Sequence, residues 1–177
     1  MGKNQAMRIA LLAIMIAVTT VFTVVPKIPI PGTEGYVNLS DVAITFASVA
    51  FGPVVGLAAG GIGTALADFM GGYGQWAGIS LLAHGSEGLL IGLIARQGRG
   101  RRRTLVGWAA GAVSMVAVYY IGEAVVFTGW KPALFSVPFN VAQAVVGGAV
   151  GLPLYYAVER AYPAIAQLRN PGGWREE

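Results

Sequence analysis

Three ionisable side chains lie inside long apolar segments of this sequence, where a charge is costly and usually serves a function. They are His84, Glu87 and Glu123. His84 and Glu87 stand three residues apart, so on a helix they share one face and can either pair with each other or face a ligand. A carboxylate in apolar surroundings needs a partner, and a ligand with amine donors or positive charge is a natural one.

Aromatic and amide side chains accompany these charges. Tyr119 and Tyr120 precede Glu123 by four and three residues, and Asn140 and Gln143 share one face of the next apolar segment. Trp76 begins an earlier segment, either as a pocket residue or as one of the aromatic residues that mark a membrane interface. We therefore predict a pocket formed by Trp76, His84, Glu87, Tyr119, Tyr120, Glu123, Asn140 and Gln143.

The composition places these side chains in a membrane. Of the 177 residues, 55% are hydrophobic and 11% are charged, whereas soluble domains carry about 25% charged residues. With one His and no Cys, the sequence predicts no disulfide, no cysteine nucleophile, no metal site and no cofactor. We expect a single all-α membrane domain over residues 1–177.

Six apolar segments are predicted to cross the membrane as one helical bundle. They cover about residues 6–25, 40–51, 53–68, 76–95, 105–127 and 137–158. Residues 26–40 contain three prolines, which predicts a long loop without helix or sheet ladder between the first two helices. Residues 41–67 allow two interpretations, either one long helix or two helices that are separated at Gly52 and Pro53.

The basic residues favour the two-helix interpretation. Six spans with a cytoplasmic N-terminus leave only Lys27 and Lys131 outside and place every other Lys and Arg, including Arg99, Arg169 and Arg175, in the cytoplasm. This follows the positive-inside bias of membrane proteins. We therefore expect both termini in the cytoplasm and the 26–40 loop outside the cell. The same bias explains the basic composition without a nucleic-acid partner.

The first apolar segment carries small residues on one helix face. Ala6, Ala10, Ala13 and Ala17 are separated by four, three and four residues. Membrane helices associate through such small residues because the lipid offers no hydrophobic driving force between them. From the sequence, this alanine face can either pack inward or receive a helix of a partner protein.

Several stretches resemble the substrate-binding (S) component of energy-coupling factor (ECF) transporters, the vitamin-uptake relatives of ABC importers. The resemblance covers essentially the whole chain, and its most specific parts are residues 37–41, 51–53, 56–68 and 84–88. Residues 84–88, His-Gly-Ser-Glu-Gly, are similar to the Lys-Gly-x-Glu-Gly segment of the riboflavin and hydroxymethylpyrimidine branch, with His84 in place of the lysine.

The resemblance implies a function and partners. An S component is a six-helix protein of the prokaryotic plasma membrane without an ATPase site, and it captures a vitamin outside the cell. A membrane coupling subunit and two ATPase subunits then release the vitamin inside. The family's site uses the first loop and helices four to six, which adds Asn38 to the predicted binding residues. The alanine face would dock on the coupling subunit.

The carboxylates favour a pyrimidine-type ligand, hydroxymethylpyrimidine or thiamine, because an aminopyrimidine presents two parallel N–H groups to one carboxylate. Riboflavin is the next candidate, and its uracil-like edge would use Asn140 and Gln143. Two alternatives from other classes are a small integral-membrane enzyme and a stand-alone transporter, either of which would use Asp68, His84 and Glu87.

Overall fold

The computed structural model describes residues 3–29, 36–98 and 100–168. Residues 30–35 of the predicted loop, and Arg99, Arg169 and Arg175 of the predicted cytoplasmic set, lie outside these ranges.

The described chain is a bundle of six long helices with one single-turn helix. Short 3₁₀ or π turns lie at Gly74–Trp76, Ala124–Thr128 and Pro163–Gln167. The helices are α1 (Lys3–Val24), α2 (Ser40–Phe51), α3 (Pro53–Gly71), α4 (Ala77–Ala95), α5 (Arg101–Glu123), the single turn α6 (Trp130–Ala133) and α7 (Val137–Ala161).

Five helical segments of the described chain are long and apolar enough to cross a membrane. The exception among the six long helices is α2, which has 12 residues. At 1.5 Å per residue it is about 18 Å long, whereas the hydrocarbon core of a bilayer is about 30 Å thick. The predicted number of six long helices is therefore confirmed. However, α2 is too short to span the membrane alone.

A glycine and a proline separate α2 from α3. Gly52 has a φ of 87°, and Pro53 is the first residue of α3. A positive φ suits glycine because it has no Cβ, and proline suits the first helical position because its missing N–H has no helical partner there. One continuous helix over residues 41–67 is thus excluded.

The loop between α1 and α2 contains a short ladder that the sequence analysis did not predict. Two-residue strands β1 (Ile28–Pro29) and β2 (Tyr36–Val37) pair antiparallel, with Ile28 opposite Val37. A strand of two residues is too short to show hydrophobic alternation in the sequence, whereas the three prolines of this segment indicate a loop.

The alanine face of α1 points away from the bundle. Ala10, Ala13 and Ala17 are exposed and Ala6 is half-buried. The opposite face packs on the protein core through Met15 and the threonines Thr19 and Thr23. Of the two interpretations of this face, the structure thus excludes inward packing.

Glycines bring α3 and α4 into backbone contact. A Cβ added to Gly88 would lie 2.2 Å from the carbonyl oxygen of Gly56, and one added to Gly60 would lie 2.2 Å from the carbonyl oxygen of His84. Neither backbone can move aside unless the helices separate. This contact fixes the segment of α4 that carries His84 and Glu87.

We expect Gly88→Ala to destabilise the protein. Alanine gains about 0.5–1 kcal/mol over glycine inside a helix, but overpacking costs about 1–3 kcal/mol. Because the added methyl group would meet backbone, the overpacking cost should lie near its upper end, and a net loss of about 2 kcal/mol should lower the unfolding temperature in detergent by about 4–8 °C. Gly78→Ala is the matched control on the same helix, since its Cβ would meet nothing within 4 Å. Equal unfolding temperatures for the two variants would contradict the packing argument.

Candidate functional site

A polar pocket lies between the α1–α2 loop and helices α3, α4, α5 and α7. Counted together with the open solvent at its mouth, the space between these elements measures about 500 Å³. Its lining residues are Thr23, Tyr36, Asn38, Thr64, Asp68, Trp76, Ser80, His84, Tyr119, Glu123, Ser136, Asn140 and Gln143.

Aromatic rings form one side of the pocket. Tyr119 lies between Trp76 and His84, with ring centroids 6.4 Å and 5.4 Å away. Its hydroxyl is hydrogen-bonded to Ser80 Oγ at 2.8 Å. The Trp76 ring also packs on Phe127 at 4.6 Å, and Trp76 is only 6% exposed. Trp76 is therefore a pocket residue and not an interface residue, and these rings can stack on a flat ligand.

Amide and carboxyl groups form another part of the lining. Gln143 Oε1 accepts a hydrogen bond from the backbone N–H of Asn38 at 2.8 Å, and Gln143 Nε2 donates one to Asp41 at 3.1 Å. Both ends of this amide are thus engaged by the protein. Asn140 lies one turn earlier on α7 and is also buried. Glu123 ends α5 beside the hydroxyls of Ser136 and Thr128.

The α1–α2 loop closes one edge of the pocket. The Tyr36 hydroxyl donates a 2.6 Å hydrogen bond to Asp68 Oδ1, and Lys27 Nζ lies 4.9 Å from the ring centroids of both Tyr36 and Tyr73. Burial and the neighbouring Asp68 carboxylate raise the pKa of Tyr36. The hydroxyl therefore stays protonated and keeps its role as donor.

A second polar group lies beneath the pocket, and we call it the Asp41–His84–Glu87 cluster. His84 Nδ1 is 2.9 Å from Glu87 Oε2 and 3.3 Å from Asp41 Oδ1. All three side chains are at most 1% exposed. Of the three, only His84 also lines the pocket. His84 and Glu87, for which the sequence left both pairing and ligand contact open, do pair with each other.

The structure brings seven of the nine predicted binding residues into the pocket lining: Asn38, Trp76, His84, Tyr119, Glu123, Asn140 and Gln143. The other two lie elsewhere. Glu87 is behind His84, and the Tyr120 hydroxyl donates to the carbonyl oxygen of Trp130 at 3.4 Å on an exposed surface. The contact of each lining residue with a ligand stays a prediction.

Sequence reasoning missed Tyr36 and Asp41, and it named Asp68 only for the alternatives of an enzyme or a stand-alone transporter. Asp68 is in fact buried and lines the pocket. An aspartate in an apolar helix was the available signal for both Asp41 and Asp68. This signal is weaker for Asp41 and Asp68 because both lie close to a helix end, where the free-energy cost of placing a carboxylate in the membrane is smaller.

Residues 3–160 match the family described as ECF-type riboflavin transporter, S component. The chain belongs to this family. It is therefore the substrate-binding S component of an ECF transporter and an integral membrane protein. The family and fold are those of transporter components and not of enzymes, so the alternative of an enzyme that uses Asp68, His84 and Glu87 is wrong.

Two relatives align with most of the sequence of this S component. A Pyrococcus woesei protein described as "Uncharacterized protein in gap 3'region" is 38% identical over 141 residues, which is 80% of this chain and 94% of the relative. The thiamine precursor transporter HmpT of Lactococcus lactis subsp. cremoris (strain MG1363) is 30% identical over 161 residues, 90% of this chain and 92% of HmpT.

The fold has a solved counterpart, an S component of a bacterial ECF transporter. The two superpose with a TM-score of 0.74 at 23% identity, over 89% of this chain and 98% of the other. This similarity supports the helical architecture described above.

Proposed function

We propose that this S component captures a pyrimidine-type vitamin precursor, of the hydroxymethylpyrimidine or thiamine type, on the outside of a prokaryotic plasma membrane. The observation that carries the proposal is the charge of the pocket. Asp68 and Glu123 line it, and no Lys or Arg is among the described residues that do. A ligand with amine donors or positive charge complements such a pocket.

An aminopyrimidine complements the pocket in hydrogen bonding and in ring stacking. Once its ring nitrogen is protonated, the amino group and the ring present two parallel N–H donors to one carboxylate, for which Glu123 is our candidate. The ring is flat and can stack on Trp76 or Tyr119. The relationship to HmpT, which is described as a thiamine precursor transporter, supports the same ligand class.

Riboflavin is the second candidate, and the description of the family favours it. Its uracil-like edge would need amide partners. Both ends of Gln143 already bond to Asn38 and Asp41, so Asn140 would be left as the main amide partner. Riboflavin also has three fused rings and a polar chain, so it needs more room than a single pyrimidine ring.

The basic residues support an outward-facing pocket. Helix α4 begins beside Trp76 in the pocket and ends at Ala95, next to Arg96. Helix α5 begins at Arg101 and returns to Glu123 in the pocket. The arginines thus lie at the end of the bundle opposite the pocket, and the positive-inside bias assigns that end to the cytoplasm. We infer that both termini are cytoplasmic.

The exposed alanine face supports a partner on α1. Ala10, Ala13 and Ala17 offer a surface on which a second helix can approach closely. We infer that the ECF coupling subunit docks there and that two ATPase subunits complete the importer.

Calorimetric titration of the purified protein with hydroxymethylpyrimidine, thiamine and riboflavin tests the ligand. Mass spectrometry of molecules released on denaturation identifies any ligand that co-purifies. We expect tight binding of a pyrimidine compound and weaker binding of riboflavin. Riboflavin as the tight ligand, with no measurable pyrimidine binding, would overturn the proposal.

A further inference from the structure

Two carboxylate oxygens of the Asp41–His84–Glu87 cluster have no partner. Asp41 Oδ1 lies near His84 Nδ1, Gln143 Nε2 and Ser40 Oγ, at 3.1–3.3 Å. Asp41 Oδ2 is buried and accepts no hydrogen bond, and the same is true of Glu87 Oε1. A buried acceptor without a partner costs about 1–3 kcal/mol, so both oxygens point to a bound group.

The charges of the cluster are also unbalanced. The ion pairs that Asp41 and Glu87 make in the described part of the chain are both with the same atom, His84 Nδ1. Even a protonated imidazole offsets only one of the two carboxylates. A divalent cation with a neutral imidazole makes the cluster neutral, and neutrality is strongly favoured within a membrane bundle.

We propose that the Asp41–His84–Glu87 cluster binds a divalent transition-metal ion of the zinc class. One ligand atom from each side chain lies within 4.8 Å of the others, so a single ion can contact all three. An imidazole nitrogen with carboxylate oxygens suits zinc. Magnesium and calcium prefer sites made of oxygen alone. Binding at Nδ1 releases the proton that this nitrogen shares with the carboxylates.

Glycines on the neighbouring helices leave room for the ligand side chains. A Cβ at Gly147 of α7 would lie 2.3 Å from Asp41 Cβ, and one at Gly111 of α5 would lie 3.2 Å from Glu87 Cγ. A larger residue at either glycine would therefore displace a carboxylate side chain from its position beside His84. The three ligand groups already lie together without an ion, which favours metal binding.

An ion at this position would have a structural effect on the pocket. It would tie α2, through Asp41, to α4, through His84 and Glu87. It would also fix the imidazole that lines the pocket next to Tyr119. The sequence predicted no metal site because its one His has no His or Cys at ligand spacing, and the partner Asp41 comes from another helix.

The first test uses the wild-type protein without an affinity tag and without vitamin. The protein is stripped with a chelator in detergent, incubated with zinc, manganese or magnesium chloride and desalted. We expect about one zinc ion per chain by elemental analysis and a higher unfolding temperature with zinc. X-ray absorption at the zinc edge should show one imidazole, and His84 is the only histidine. Failure to retain zinc, or a spectrum without imidazole, would overturn the proposal.

The second test uses variants. Asp41→Asn and Glu87→Gln should each lower zinc affinity by at least about tenfold. Glu159→Gln is the control, because this α7 carboxylate accepts a hydrogen bond from Tyr155 away from the cluster. Equal zinc uptake by all these variants would place the ion elsewhere. No vitamin enters either test, so their outcome is independent of the proposed substrate.

Discussion

The double substitution Ala13→Leu, Ala17→Leu is expected to abolish co-purification of this S component with its coupling subunit while leaving vitamin binding intact. Both alanines are exposed on α1. In lipid, helices associate through close backbone approach and not through the hydrophobic effect. Two leucine side chains on this face would hold the partner helix away, and we expect at least a tenfold loss of complex in a quantitative pull-down.

The control for this experiment adds the same bulk to another lipid-facing helix. Ala149 and Ala157 are exposed on α7, so Ala149→Leu, Ala157→Leu should leave the complex unchanged. Vitamin titration of both double variants shows whether the pocket is intact. Normal co-purification of the Ala13→Leu, Ala17→Leu protein would mean that the coupling subunit docks elsewhere.

Local backbone chemistry made the helix boundaries predictable. A proline is disfavoured inside a helix and suits its first turn, and a glycine can adopt a positive φ, so Gly52 and Pro53 offered a point of separation within residues 41–67, which the basic residues favoured. The same rules identified a proline-rich loop at residues 26–40. They could not predict the pairing of Ile28 with Val37, because a two-residue ladder depends on the surrounding contacts and not on its own sequence.

The sequence predicted which segments carry the site residues. Which of these side chains line the pocket depends on the rotation and packing of the helices, which the sequence pattern does not give. Tyr119 and Tyr120 are both spaced to lie near Glu123, yet adjacent helical residues differ by about 100° in direction, and only Tyr119 lines the pocket. Spacing within α4 predicted that His84 and Glu87 share a face. That Asp41 joins them depends on how α2 packs against α4, and no local pattern encodes it.

The position of Glu87 changes what a substitution there should do. Because Glu87 lies behind His84 and does not line the pocket, Glu87→Gln acts on a ligand only through the imidazole. Glu123, in contrast to Glu87, lines the pocket and can contact a ligand directly. Both residues were predicted from the sequence to form the pocket, but substitutions at the two positions are expected to differ in effect.

Glu123→Gln should weaken binding of hydroxymethylpyrimidine by about 10- to 100-fold. A hydrogen bond to a charged group contributes about 1.5–3 kcal/mol, and each 1.4 kcal/mol is about a factor of ten in affinity. Glutamine has nearly the same shape but presents only one acceptor oxygen and no charge. Calorimetric titration measures the change, and Glu159→Gln, a carboxylate outside the pocket lining, should bind as the wild type does.

Asn140→Ala separates the two ligand classes in the same experiment. A pyrimidine held by Glu123 should lose less affinity from Asn140→Ala than from Glu123→Gln, because a neutral hydrogen bond contributes about 0.5–1.5 kcal/mol. Riboflavin held by its uracil-like edge would show the reverse order. Tight riboflavin binding that survives both Glu87→Gln and Glu123→Gln but is lost in Asn140→Ala would therefore exclude a pyrimidine ligand and assign the pocket to riboflavin.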